Sequence, residues 1–326
     1  MARRLAILAG FAAAALVAFA VVAFIVIDRF DGPGPLQSDT VIYIDPGTSM
    51  GDIARKLAAD GVIEDSVVFR LGVRLLRVER ELKAGEYLFP ATVSMRGVVD
   101  ILLSGKTVMR RLTIPEGVAS AEAAALIEAA GGLVDNISAI PAEGSLLPET
   151  YHYERGDKRN ELVARMQESM RDTLTELWSL RDQSIPIKTP EEAVILASIV
   201  EKETGVPDER PIVASVFINR IRAGMRLQSD PTVVYGITNG TAPLGRPLTR
   251  NDLQTPSPYN TYLIDGLPPG PIANPGREAI KAVLNPAATE YLYFVASGNG
   301  GHVFAKTLDE HNGNVAKWRK LKSQTN

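Results

Sequence analysis

The chain contains no cysteine. That excludes disulfides, thiol nucleophiles and thiolate metal sites, and it suits work outside the cytoplasm without oxidative folding. Histidine is almost as scarce. His152, His302 and His311 are the whole complement, with no HExxH and no pair at helical spacing. A zinc enzyme is therefore not expected, and no metal or other cofactor is called for. Charge is nearly balanced, 35 Lys and Arg against 38 Asp and Glu, with no long run of either sign. A surface that tracks nucleic-acid phosphates is excluded on that ground. What remains is 326 residues, 45% hydrophobic, ample for two or more domains with buried cores.

The N-terminus has the clearest physical pattern. Residues 5–27 carry no charge, and such a helix crosses a hydrocarbon core of about 30 Å at about 1.5 Å per residue. Arg3 and Arg4 precede it, which holds residues 1–4 in the cytoplasm and places the rest outside. A cleaved signal peptide is the alternative, with Ala18-Phe19-Ala20 as its cleavage site, but the apolar run continues to Ile27. Residues 28–39, with Asp31-Gly32-Pro33-Gly34-Pro35, read as a short, stiffened linker.

Capping residues and periodicity set out the remainder. A strand is expected over 41–44, turned by Pro46-Gly47, then a helix over 49–59 capped by Ser49. Asp65 or Ser66 caps a second helix to Leu76. A returning strand covers 83–89, and Ser94 caps a helix that stops at Gly105. An echo follows at an offset of 70: Ile44, Gly47, Ala54, Ala59 and Gly61 match Ile114, Gly117, Ala124, Ala129 and Gly131. Duplication explains it, and so does the common need of any turn-and-helix unit for those residue types. Further helices are expected over 160–180, 190–204, 211–223, 276–284 and 312–322, with a hairpin of 291–296 and 303–306 around residues 298–301. The chain between Gly224 and Pro275 is rich in proline and glycine. That is an ordinary long connection or, being stiff, a functional loop.

The helix over 190–204 raises the functional question. ILASIVEKETG, residues 195–205, runs an apolar helix into Glu201, Lys202 and Glu203. A solvated helix end accounts for such charges. So does a carboxylic acid placed at the edge of a dry core, where lost hydration raises its pKa and keeps it protonated as a general acid. On a helical wheel Glu201 lies above Ala197 and Ser198, whereas Glu203 lies above Ile199 and Val200. The two are turned about 200° apart and cannot face one cleft. Small residues leave room for a substrate, which favours Glu201. Downstream, residues 216–236 carry Asn219, Arg220, Arg226, Gln228 and Asp230, and residues 257–276 carry Tyr259, Asn260, Thr261 and Tyr262. Aromatic faces, amides and carboxylates on stiff loops are the chemistry that binds sugars.

EGSLLPETYHY, ASIVEKETG, VFINRIRAGMRLQSDPTVVYG, YNTYLIDGLPPGPIANPG and YLYFVASGNGGHVF occur in that order after a single apolar N-terminal run. Together they resemble the endolytic murein transglycosylase family, also called YceG-like, over essentially the whole chain after that run. The resemblance implies an α+β protein: a single transmembrane helix, a small LysM-like α/β module over 40–106, and a mixed α+β catalytic domain over 107–326. It implies that Glu201 is catalytic. It maps substrate-binding positions onto Glu149, Tyr151, Asn219, Arg220, Gln228, Asp230, Tyr259, Asn260 and Tyr262.

The activity implied is a lytic transglycosylase cut of peptidoglycan glycan strands. One Glu first protonates the glycosidic oxygen, then serves as base while the C6 hydroxyl of N-acetylmuramic acid closes onto C1. Ordinary glycosidases need two carboxylates. Asp230 as a second one keeps a hydrolytic muramidase open, and an inert, wall-binding scaffold is the non-enzymatic alternative. The partners implied are nascent glycan strands and the penicillin-binding synthases, at the outer face of the bacterial cytoplasmic membrane.

Overall fold

The computed structural model describes residues 2–298 and 300–325, without the side chains of 2–9, 11, 12, 324 and 325. Arg3 and Arg4, read as the cytoplasmic flank, and Asn299, read into the hairpin turn, fall outside the described side chains or residues. The fold is mixed α and β, as expected, and it divides into two compact units.

The first unit holds residues 1–110 with 154–156. Helix α1 spans Ala2–Asp31, and Ala13–Asp31 is long and apolar enough to cross a membrane. Strand β1 (Thr40–Ile44), helices α2 (Met50–Ala59) and α3 (Ser66–Leu76), strand β2 (Gly85–Phe89) and helix α4 (Met95–Ser104) follow. The caps are the ones the sequence announces. Ser49 accepts from Asp52 N, Asp65 from Val67 N and Val68 N, and Ser94 from Gly97 N. β1 and β2 pair antiparallel, from Thr40 opposite Phe89 to Ile44 opposite Gly85. Ile44, Tyr87 and Phe89 then meet Leu57, Phe69 and Leu102 in one core.

The residues expected as a linker are fixed to this unit. Phe30 enters the core, and a β-carbon at Gly72 would collide with its ring. Gly34 N donates to Thr92 O, and Thr92 N donates to Leu36 O. The apolar Phe30 and Leu36 gain more from burial than from spacing the unit away.

The second unit holds residues 111–153 and 157–326. Strand β3 (Arg110–Thr113) begins at its edge and pairs with β4 (Thr150–Tyr153), with α5 (Ser120–Ala129) between them in sequence. α5 lies 70 residues after α2 and is preceded by Gly117 at φ +75°, as α2 is by Gly47 at φ +81°. The echo is therefore visible in the backbone, with one change. Ala119 cannot cap α5, and Glu143 Oε1 accepts from Ser120 N instead.

Next come α6 (Arg159–Ser179), α7 (Pro190–Glu203), a 3₁₀ turn (Pro207–Glu209) and α8 (Arg210–Arg222). α9 (Asp230–Thr238) and α10 (Arg250–Gln254) fall inside the proline-rich stretch, which is more ordered than its composition suggested. α11 (Arg277–Leu284), the antiparallel hairpin β5 (Tyr293–Ala296) and β6 (His302–Ala305), and α12 (Leu308–Thr325) complete the unit.

α7 is the centre of this unit. Thr189 caps it, Pro190 takes its first turn, and Ala193, Val194 and Leu196 to Val200 are all buried. α6, α8, α9 and α11 pack around it. Beside it, the fully buried Asn274 binds separate pieces of chain together. Its Nδ2 donates to Val118 O and Ser120 Oγ, both at 3.1 Å, and its Oδ1 accepts from Leu146 N at 3.0 Å. Gly117 N donates to its carbonyl. Losing this amide orphans several buried groups at once. Asn274→Ala is expected to lower unfolding stability by about 2–4 kcal/mol, read by chemical denaturation. A change below about 0.5 kcal/mol would deny the residue this stapling role.

Candidate functional site

Two carboxylates leave the dry end of α7 in different directions, as the wheel requires. The Glu201 side chain is only 5% exposed. Its Oε1 accepts from Arg210 Nη2 at 3.2 Å and its Oε2 from Gly276 N at 2.9 Å. Arg210 Nη2 also donates to Glu116 Oε2 at 3.0 Å. A β-carbon on Gly276 would collide with the Glu116 carboxylate, so glycine there permits the approach. Burial raises the pKa of Glu201. The Gly276 N–H opposes that, Glu116 reinforces it, and Arg210 opposes it.

The expected room beside Glu201 is taken by backbone. Ser198 Oγ, one turn below, accepts from Ile272 N at 3.0 Å, and the chain continues to Gly276 against Glu201. The small residues of α7 admit a neighbouring strand of chain, not an open pocket. Glu203, read as lying over filled space, instead lines a cleft. Neighbouring elements form that space, so the residues beneath it on α7 do not decide. Ser229 Oγ donates to its Oε1. Burial pushes its pKa up to about 7, with Asp230 adding to the rise and Ser229 opposing it.

That cleft, about 380 Å³, collects four of the expected binding residues around Glu203: Arg220, Gln228, Asp230 and Tyr262. Tyr262 OH donates to Asp230 Oδ1 at 2.7 Å. Gln228 holds a left-handed backbone, φ +50°, and its side chain is exposed at the cleft. Arg220 is tied from behind, with Nε to Leu292 O at 2.7 Å and Nη1 to Leu227 O at 2.6 Å. Tyr293, Phe294 and His311, from β5 and α12, complete the wall. A larger cleft, about 810 Å³, lies between α5 and α9 and takes in Gly117, Lys202 and again Asp230.

The other expected residues are elsewhere. Tyr151 is 8% exposed in a core, with its hydroxyl donating to Leu147 O, so its ring offers no face to a ligand. Asn219 Nδ2 donates to Thr289 O and Tyr291 O, holding the lead into β5. Asn260 is buried, with Nδ2 on Leu253 O and Thr255 O and Oδ1 accepting from Tyr262 N. All three spend their side-chain donors on backbone carbonyls, as buried polar groups generally do. Tyr259 packs on Tyr235, ring centres 4.8 Å apart. Glu149 is exposed, and its carbonyl accepts from Ile114 N. Glu116 and Arg210 were not singled out in the sequence, and Gly276 only as a helix start. Among the described residues no His, Cys, Asp and Glu grouping suits a metal ion.

The Glu201 setting makes two variants move its titration in opposite directions. Glu116→Gln removes a like charge and is expected to lower the Glu201 pKa, while Arg210→Met removes the opposing cation and is expected to raise it. Carboxyl-carbon NMR titration reads both. Shifts of the same sign would overturn the assignment of these neighbours.

Residues 42–317 match the family described as YceG-like. A Bacillus subtilis (strain 168) protein named endolytic murein transglycosylase is 30% identical over 328 residues, 89% of each chain. A Streptococcus pneumoniae (strain D39) protein of the same name is 26% identical over 87% of this chain, which spans 60% of that longer relative. A crystal structure of a yceG-like protein from Listeria monocytogenes superposes with a TM-score of 0.50 at 31% identity, over 85% of this chain and 99% of that one.

Proposed function

The chain belongs to the YceG-like family, and on that premise we propose that it is an endolytic lytic transglycosylase, a lyase that cuts peptidoglycan. The observation that carries the mechanism is Glu201, an almost wholly buried carboxyl with a raised pKa at the end of α7. Its proton passes to the glycosidic oxygen as the C1–O bond breaks. The carboxylate left behind takes the proton of the C6 hydroxyl as that oxygen bonds to C1. A 1,6-anhydro end forms, no water enters, and Glu201 regains its proton. Such acid–base help is worth on the order of 10²–10⁴ in rate. The acid must be protonated to act, so activity falls as pH rises through its raised pKa.

Gln228, Asp230, Tyr262 and Arg220 hold the glycan in this reading. Glu149, Tyr151, Asn219, Tyr259 and Asn260 support the site through the backbone or lie away from it. Glu203 is the second candidate for the acid. It faces the cleft where those binding residues gather, and a pKa of about 7 leaves it largely protonated below neutrality. Asp230, at the same cleft, keeps hydrolysis as the alternative outcome.

The apolar α1 serves as a membrane anchor, holding the enzyme at the outer face of the cytoplasmic membrane where synthases extrude new strands. A cut there limits strand length. The β1–α2–α3–β2–α4 segment, over 40–106, acts as a LysM-like glycan-binding module.

The test incubates the full chain, its Glu201→Gln and its Glu203→Gln with peptidoglycan and weighs the products. Anhydro ends from wild type, lost by at least 100-fold in Glu201→Gln and retained in Glu203→Gln, are expected. The reverse pattern moves the acid to Glu203. Reducing ends, heavier by one water, make it a muramidase. Binding without products leaves a scaffold.

A further inference from the structure

The larger cleft is unlike the smaller one. The smaller cleft offers the rings of Tyr262, Tyr293 and Phe294 and the amide of Gln228, which suit sugar faces and hydroxyls. The larger is walled by Ala119, Ala121, Ala125, Val234 and Ile272, with Tyr235 its one aromatic lining residue. Surfaces of methyl and branched side chains suit small apolar groups better than a sugar ring. The volume, about 810 Å³, is large enough for several such groups.

Lys202 is the one cationic side chain on that lining. Its Nζ donates to Gly117 O at 3.1 Å, and an ammonium has three donors. Among the described residues no carboxylate reaches it within ion-pair distance, although Glu201 and Glu203 flank it in sequence. Neither of those carboxylates is on the cleft lining, whereas Lys202 is. Glu122 and Asp230 supply negative charge on the same lining. Asp230 also lines the smaller cleft, so the two adjoin there.

We propose that the larger cleft binds the peptide stem carried by the glycan, with Lys202 Nζ taking a stem carboxylate. The inference rests on the reading of the substrate as peptidoglycan, whose sugars bear short peptides with methyl side chains and free carboxylates. The alanine wall takes the methyl groups. Glu122 and Asp230 suit an amino group on the same stem. A sugar in the smaller cleft then extends its substituent past Asp230 into the larger. Lys202 is a specificity residue and takes no part in bond breaking.

The experiment measures binding without cleavage. The full chain carries Glu201→Gln and Glu203→Gln together, so neither candidate acid can act. The probes are soluble glycan strands bearing their stems and the same strands stripped of stems by an amidase. Stem-bearing strands are expected to bind roughly three- to ten-fold more tightly, the range of an exposed, salt-screened ion pair with its surrounding contacts. Adding Lys202→Met is expected to remove most of that preference and its salt dependence, and Lys202→Arg to keep it. Equal binding of the two strands overturns the inference while leaving the peptidoglycan reading intact. So does a Lys202→Met loss that is the same for both. Binding of neither strand overturns the inference together with the reading beneath it.

Discussion

The second unit depends on one dry helix. α7 buries side chains on every face along most of its length, so its polar C-terminal end has to be solvated by protein. The helices around it supply those groups. Arg210 comes from the start of α8, Gly276 from the cap of α11, and Ser229 from the cap of α9. The packing that hides α7 therefore also delivers partners to both carboxylates. Shielding costs an ionised carboxylate its hydration, and the few hydrogen bonds it receives here only partly restore that. Two acids with raised proton affinity are the result, a few residues apart and facing different surroundings.

Those surroundings differ in kind. Glu201 is enclosed by a cation, a second carboxylate and a backbone N–H, all held by short contacts. Glu203 is enclosed on one side and open to a cleft on the other. A group fixed on both oxygens is well aimed, and a group beside open space is well placed to meet a ligand. The buried amide of Asn274 ties the Gly117–Ser120 turn to the segment approaching Gly276. It thereby couples the aim of Glu201 to the stability of the fold.

The local grammar was legible in the sequence. Ser49, Asp65 and Ser94 each cap the helix they announce, because a cap is decided within a few residues. The opposed directions of Glu201 and Glu203 follow from helical rotation alone. α9 and α10 were hidden by the density of proline, although Ser229-Asp230-Pro231 and Thr249 with Asp252 are start signals of the same type. What periodicity cannot carry is the third dimension. Glu116 and Arg210 stand 94 positions apart and share one hydrogen bond. Tyr151, Asn219 and Asn260 have the chemistry of ligand residues, yet buried carbonyls claim their polar atoms first. The small residues under Glu201 signalled space, and a passing backbone filled it.

Asp230 opens α9, lines both clefts and holds the hydroxyl of Tyr262. In genetic language it is pleiotropic. An allele at this position disturbs the walls of two clefts and a helix start together, so its phenotype cannot be divided among them. Lys202 and Tyr262 each line only one of the two clefts. Alleles there are separable, and a collection built on those two positions would resolve what Asp230 can only confound.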